Sequence, residues 1–388
     1  MQTLRYAVGS VPYYRDLGIE TLGITSAADL DRFPVLAKRT LQENQDRLMA
    51  EGFSLDTCKT SVTSGSTGEP TTSAFDRDTW LLCKYTLKIR RLLAYGVGVG
   101  KRVLLVSEMS PEEIAGGPRL SGAGFLFGQR YVSIHQPVSH GLRAIQEFRP
   151  HAIYAFPSYL AELLEYCEQQ QESLPAIGTI FTSSEVLSEG LRQRLTETFS
   201  ADVCDVYGNT EFKEVAWQCS SGRYHVNFES TWVETMDVAE DGFGTVLLTT
   251  LVNRAMPLIR YRVGDRVRIG EGICDCGRNG PWLAAVSGRE VDMLLLADGR
   301  RLSPYLLTSI IELDPGIRRY QIVQDTPTDI KVCYLGPLEE AVDEAELRRS
   351  MSEPLGPSVQ IRFERVSSLP RTARGKQKVF LRNFEPAS

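Results

Sequence analysis

Two stretches of this 388-residue chain have residue types and spacings that could do chemistry. The first is Cys219-x5-His225 followed by Cys274-x-Cys276, within WQCSSGRYH and GICDCGRNG. Three thiols and an imidazole suit tetrahedral Zn2+ in a site closed to water. The spacing is looser than paired CxxC knuckles, so unliganded thiols remain the other reading. The second is SVTSGSTGEPT, Ser61 to Thr71, where eight of eleven residues are Ser, Thr or Gly. Such a turn can offer backbone N–H groups and hydroxyls to a phosphate chain, although flexible linkers share the composition. It is not a Walker A loop, because GxxxxGK[ST] is absent and no Lys follows. A basic stretch near the far end, LPRTARGK (Leu369 to Lys376), would by itself be an exposed loop.

The elements that must hold these stretches follow from the apolar pattern. Between Lys59 and Val206 short apolar runs (102–106, 152–155, 177–182 and 203–206) alternate with helical patterns at 78–93, 158–170 and 188–199. That alternation predicts an α/β fold with a mainly parallel sheet. After Gly208 the strand candidates 245–251, 257–263 and 266–270 predict a β-rich subdomain. From about Gly299 a smaller unit is expected: helix 304–313, strands 319–324 and 329–334, an acidic helix 339–352, and a last strand 359–366. The first 55 residues read as short helices joined by turns.

Composition narrows the partners. With 42% hydrophobic and 24% charged residues the chain has the balance of a soluble globular protein. Its 43 basic and 49 acidic residues give a net charge of −6 without a long run of one sign, so neither nucleic acid nor an anionic membrane is favoured. No apolar run approaches the ~20 residues that span a bilayer, and the opening lacks a secretion signal, so a cytoplasmic protein with small-molecule partners is expected. Eight cysteines in a chain of this length do not make a disulfide scaffold.

Six short stretches occur in a telling order: TSGSTGEP (63–70), SSE (183–185), YGNTE (207–211), RYRVGD (260–265), SGREVD (287–292) and LPRTARGK (369–376). With VPYYRDLGI, FPVLAKRTL and CDCGRNGP, this series resembles the adenylate-forming superfamily of acyl-CoA synthetases, in particular its phenylacetate-CoA ligase-like branch. The resemblance implies a large N-terminal domain of mainly parallel α/β sheets plus a β-rich subdomain (1–288), a hinge (289–298), and a small mobile α+β C-terminal domain (299–388).

Roles follow from the resemblance residue by residue. Thr63, Ser64, Gly65, Ser66, Thr67 and Gly68 match the loop around the β- and γ-phosphates of ATP. Ser184 and Glu185 match the lining of the adenine and substrate pocket, and Tyr207, within Tyr207-Gly208-Asn209-Thr210, matches the aromatic that stacks on adenine. Glu211 matches the carboxylate that directs Mg2+, Asp265 the acid that grips the ribose, and Arg289 the arginine near ribose and phosphate. Asp292 matches the hinge residue and Lys376 the catalytic lysine. Many superfamily members carry a Lys after the Gly-x-Pro of the loop; here Pro70 is followed by Thr71, and Glu69 is expected to face solvent. Some members of the branch hold structural zinc at a Cys/His set like the one described.

The implied reaction activates a carboxylic acid as acyl-AMP and passes the acyl group to coenzyme A or another nucleophile. An amine, a carrier protein, or adenylation of a phenolic deazaflavin coenzyme are the alternatives, as is a degenerate nucleotide-binding protein. A homodimer is also allowed. Phe125, Phe127, Phe156 and Tyr159 fall at the acid pocket and suit an aryl or other apolar acid, although core packing explains buried aromatics equally well.

Overall fold

The computed structural model describes residues 1–62, 71–116, 126–289, 293–337, 339–372 and 375–384, with Arg289 described by its backbone. Its packing divides the chain into two compact units, 1–96 with 206–286 and 97–205 with 287–388.

The chain opens with α1 (Gln2–Ser10), α2 (Pro12–Arg15) and α3 (Lys38–Glu43). Pro12 begins α2, where the missing N–H costs nothing. Strands β1 (Lys59–Val62) and β2 (Thr72–Phe75) pair antiparallel with Val62 opposite Thr72. The Ser/Gly stretch 63–70 that joins them lies outside the described residues. The helix predicted at 78–93 is present in three pieces: α4 (Arg77–Leu81), a π-helical turn (Leu82–Thr86), and α5 (Leu87–Ala94). Asp76 caps it, accepting from the Thr79 N–H at 2.9 Å. On α5 the Arg91 side chain is fully buried and reaches Glu214 at 3.2 Å.

Residues 97–205 build the predicted strand–helix alternation. In order come β3 (Arg102–Ser107), α6 (Pro111–Gly116), β4 (Gly128–Ser133), α7 (Val138–Phe148), β5 (Ala152–Ala155), α8 (Pro157–Gln170), β6 (Thr179–Ser183) and α9 (Glu189–Phe199). The strands are parallel in the order β6-β5-β3-β4. Their inner faces, with Leu160, Leu163, Leu195 and Phe199, form one buried core. The chain leaves this unit along β7 (Asp202–Asn209).

The β-rich part follows: β8 (Lys213–Gln218), β9 (Tyr224–Val226), β10 (Thr231–Met236), β11 (Gly244–Thr250), β12 (Tyr261–Ile269) and β13 (Trp282–Arg289), ordered β10-β11-β12-β13-β9-β8-β7. Here the expectation of separate strands at 257–263 and 266–270 is corrected. They are one strand, β12, beginning at Tyr261. Arg262 faces Leu247 and Arg266 faces Thr245, so β12 carries two extra residues in a bulge at 263–265. Gly264, with φ +86°, accommodates the bend that looked like a break. A second core here joins Tyr14, Phe33 and Leu36 of the N-terminal helices and turns to Val246, Ile259 and Tyr261.

The remaining chain forms β14 (Leu294–Leu295), β15 (Arg301–Leu302), α10 (Tyr305–Ile311), β16 (Arg319–Thr326), β17 (Asp329–Leu335), α11 (Glu344–Leu355), β18 (Gln360–Arg365) and β19 (Phe380–Arg382). The acidic helix starts later than expected, because the Asp343 carboxylate accepts from the Glu346 N–H at 3.0 Å and caps it there. Nor is 359–366 the last strand. The three residues of β19 pair in parallel with β16 to complete a β18-β17-β16-β19 sheet over its own core. No helix among the described residues is long and apolar enough to cross a membrane.

Gly208 shows how tightly the end of β7 is packed: a Cβ there would lie 2.1 Å from the Lys213 carbonyl oxygen. Gly208→Ala should therefore destabilise the protein by about 1–3 kcal/mol, read as a lower urea midpoint at unchanged slope.

Candidate active site

The YGNTE stretch is the end of β7 and the turn into β8. Asn209 faces Lys213 across this hairpin, and its Oδ1 accepts from the Phe212 N–H at 2.7 Å, closing a three-residue turn that carries Glu211. Tyr207 is buried, and its hydroxyl donates to Asp265 Oδ2 at 2.9 Å. Tyr261 in turn donates to Glu211 Oε1 at 2.9 Å. Two stretches some fifty residues apart are thus joined by two tyrosine–carboxylate hydrogen bonds (50 and 58 residues of separation). The buried Nδ2 of Asn209 has no partner.

Lys213 was not singled out from the sequence. Its ammonium hydrogen-bonds Ser61 Oγ at the base of the β1–β2 hairpin and lies 4.7 Å from the Phe75 ring centroid. Burial, with Lys84 adding and Glu211 opposing, pushes its pKa down to about 8. In the sequence it is simply a lysine two residues beyond YGNTE; the structure holds it at φ +65°, which lysine rarely takes.

The four predicted zinc residues come together. Their ligand atoms all lie within 4.8 Å of one another, with Cys219 Sγ 3.8 Å from Cys274 Sγ and Cys276 Sγ 3.2 Å from His225 Nε2. Tetrahedral Zn2+ at ~2.3 Å from sulfur would set an edge of about 3.8 Å between thiolates. Tight turns present the pairs: Gly222 (φ +71°) donates to the Cys219 carbonyl and Gly277 (φ +76°) to that of Cys274. Burial, followed by the Arg278 charge, lowers the His225 pKa, so the imidazole is neutral and able to ligate. Burial also pushes the Cys274 thiol up to about 11, a cost that a bound cation would reverse. None of the eight cysteines is in a disulfide.

The third group belongs to residues 97–205 and 287–388. Around Lys376, Arg371 bridges Gln377, the Thr372 N–H donates to the Lys376 carbonyl, and the Gly375 N–H to that of Thr372, both at 2.8 Å. The Lys376 ammonium meets Glu108 Oε1 at 2.6 Å and stands 5.0 Å from the Phe156 ring centroid. Glu185 accepts from the Ser158 N–H (2.8 Å) and hydroxyl (2.9 Å) at the start of α8. Burial raises its pKa against those hydrogen bonds and the Lys376 charge. Ser184 is exposed at φ +70°, a conformation costly for a residue with a Cβ. Glu185 and Gln377 also line a cavity of about 320 Å³ with Pro157, Tyr305 and Tyr320.

Of the expected acid-pocket aromatics, Phe156 faces Lys376, whereas Phe127 and Tyr159 are 1% and 2% exposed, inside the unit. Thr63 to Gly68, Glu69, Phe125 and Asp292 lie outside the described residues, as does the Arg289 side chain. Glu108 carried no signal in the sequence. His135, given no role, does approach the site: its ring is 3.3 Å from where a Gly375 Cβ would be.

Comparison with known proteins shows similarity of sequence and fold. The family described as the CapK C-terminal domain matches residues 294–383. A phenylacetate-coenzyme A ligase of Thermus thermophilus is 27% identical over 371 residues, 90% of this chain and 79% of the relative. That of Aromatoleum evansii is 29% identical, covering 81% of this chain and 74% of its own. Among solved structures, 2-hydroxyisobutyryl-CoA ligase in a post-adenylation state with 2-HIB-AMP superposes with a TM-score of 0.81 at 21% identity, over 98% of this chain and 88% of that one. An anthranilate CoA ligase with anthranoyl-AMP gives 0.60 at 20% identity, over 84% and 67%. Along most of its length the chain is thus similar in sequence to phenylacetate-CoA ligases, and it shares the fold of adenylate-forming CoA ligases.

Proposed function

We propose that the chain is an ATP-dependent ligase that activates an aryl or other apolar carboxylic acid as acyl-AMP and then forms a thioester with coenzyme A. The observation that carries this reading is the pair of tyrosine–carboxylate bonds holding Glu211 and Asp265 beside Tyr207. An acid oxygen attacks the α-phosphate, the bond to the β-phosphate breaks in line, and pyrophosphate leaves. In the second step the thiol of coenzyme A attacks the acyl carbon and AMP departs with the bonding pair.

Each residue's part follows from its chemistry. Asp265, acid and bidentate, suits the ribose diol. Tyr207 offers a ring held at its hydroxyl end, and the unpaired Asn209 Nδ2 offers a donor. Glu211 would hold Mg2+, which supplies charge neutralisation to the phosphates when bound. Lys376 would bridge the attacking carboxylate and the α-phosphate oxygens, countering repulsion between two anions. Thr63 to Gly68 would cover the phosphates, with Arg289 near the ribose. Cys219, His225, Cys274 and Cys276 would hold structural Zn2+, since all four positions are filled by protein. The division is taken as 1–288, hinge 289–298 with Asp292, and 299–388; a separate core from Leu294 to Phe380 supports a distinct C-terminal unit that takes in the end of that hinge. A cytoplasmic location accords with this chemistry.

Three outcomes check these assignments. Acid-dependent pyrophosphate exchange should appear with at least one aryl acid in a panel. AMP transfer to a phenol without any acid, or ATP binding without exchange, would point instead to the deazaflavin-type or degenerate reading. Lys376→Ala should lower exchange by about 10²–10³-fold or more with the melting temperature retained, and a variant at full rate would remove the lysine from the mechanism. Elemental analysis should find about one zinc per chain after purification without chelators, and Cys276→Ala should lose the metal and several degrees of thermal stability.

A further inference from the structure

Lys376 has a built seat, and its main contact is one the adenylation chemistry does not itself require. On the receiving side, the turn after β3 is pinned to the end of β4. The Met109 N–H donates to Ser107 Oγ (3.2 Å), Ser133 Oγ donates to the Met109 carbonyl (2.6 Å), and the Ile134 N–H to the Ser107 carbonyl (2.8 Å). His135 Nε2 lies 3.2 Å from the Glu108 carbonyl. On the arriving side, the Lys376 N–H donates to Thr372 Oγ1 at 3.2 Å, and Gln377 Nε2 to the Tyr320 carbonyl at 3.0 Å. Gly375, at φ +79°, lets this turn come close: a Cβ would lie 3.1 Å from Ile134 Cγ2.

Between the two lies the Lys376–Glu108 ion pair at 2.6 Å, with the side chains 23% and 29% exposed. The second nearby carboxylate, Glu185, is already committed to two donors of Ser158. A lysine side chain has four rotatable bonds and loses about 2 kcal/mol of rotamer freedom when fixed, so an unheld ammonium would rarely occupy the reacting geometry. We propose that Glu108 is a positioning residue for Lys376: it holds the ammonium over Phe156 before the substrates arrive and yields it to the acid carboxylate and the α-phosphate. The proposal rests on the ligase reading given above. It assigns Glu108 to the adenylation step alone, because thioester formation from a finished acyl-AMP makes no new demand on an ammonium at that place.

The test compares half-reactions in Glu108→Gln, Glu108→Asp and the unaltered protein. Glu108→Gln should lower the kcat of acid-dependent pyrophosphate exchange about tenfold, with the KM for ATP nearly unchanged. Glu108→Asp should recover part of the loss. Thioester formation from supplied acyl-AMP and coenzyme A should stay within twofold of the unaltered rate. Amine-selective acylation followed by peptide mapping should show faster modification of Lys376 in Glu108→Gln, a readout independent of turnover. An unchanged exchange rate in Glu108→Gln, equal losses in both half-reactions, or unchanged Lys376 labelling would each overturn the assignment. Absence of exchange in the unaltered protein with every acid would instead sink the ligase reading and this proposal together.

Discussion

Two hydrogen bonds of the same kind tie Tyr207, Glu211, Tyr261 and Asp265 of the candidate site together, and each runs opposite to the other. Tyr207 on β7 donates to Asp265 on β12, while Tyr261 on β12 donates to Glu211, four residues beyond Tyr207. In the sheet order these strands are separated by β13, β9 and β8. Four spacings of about 4.8 Å would put them roughly 19 Å apart in a flat sheet, beyond the reach of a tyrosine and a carboxylate. The sheet must therefore curl until β7 and β12 face one another across its concave side. The bulge in β12 contributes by bending the strand where Asp265 sits, and Phe212 stacking on Tyr261 at 6.2 Å fills the space within. A hydrogen bond to a charged group is worth about 1.5–3 kcal/mol, so the pair helps to hold the curvature that brings it together.

The residues around Lys376 obey a different constraint. In the role proposed for Lys376, an ammonium that receives incoming anions cannot be buried in a fully satisfied network, yet it must not wander. Two carboxylates near it are treated differently by the fold. Glu185 is turned to the start of α8, where helix polarity and the Ser158 N–H and hydroxyl satisfy it, and burial raises its pKa. Glu108 pairs with the lysine. Further along α8, Glu162 pairs with Arg371 and with Arg319 at 3.8 Å, and Arg319 also meets Glu165, so the same helix anchors the segment that carries Lys376.

What the sequence could reveal depended on whether a feature is local. Runs such as RVLLV and AIYA declare themselves because a strand buried on both faces needs unbroken apolar residues. Cys219, His225, Cys274 and Cys276 were recognisable because thiols and an imidazole are atoms that could ligate a metal, whatever the fold between them. By contrast, β12 looked like two strands because Gly264-Asp265 has the composition of a turn, and only pairing with β11 shows it as a bulge. The short β19 gains its place from β16, not from its own pattern. Glu108 follows an apolar strand as many solvated acids do, and its partner is 268 residues away. Its significance exists only in the tertiary structure.

The absence of a lysine from the Ser/Gly stretch has an electrostatic counterpart at the base of the hairpin that bears it. Lys59 depresses the pKa of Lys84 in addition to burial, and Lys84 in turn depresses that of Lys213. Among the described residues no carboxylate forms an ion pair with any of the three, and Glu211 supplies only partial relief to Lys213. Lys213 has a folded pKa of about 8 against an ordinary value near 10.4, so its charged form is disfavoured by folding. Because the unfolded chain binds the proton more tightly, this contribution favours unfolding at neutral pH and fades as pH rises from 8 toward 10.4. A fold that keeps such a cost beside Ser61 is one that a polyanion at the hairpin would stabilise, since the same charge that repels Lys84 would attract phosphate.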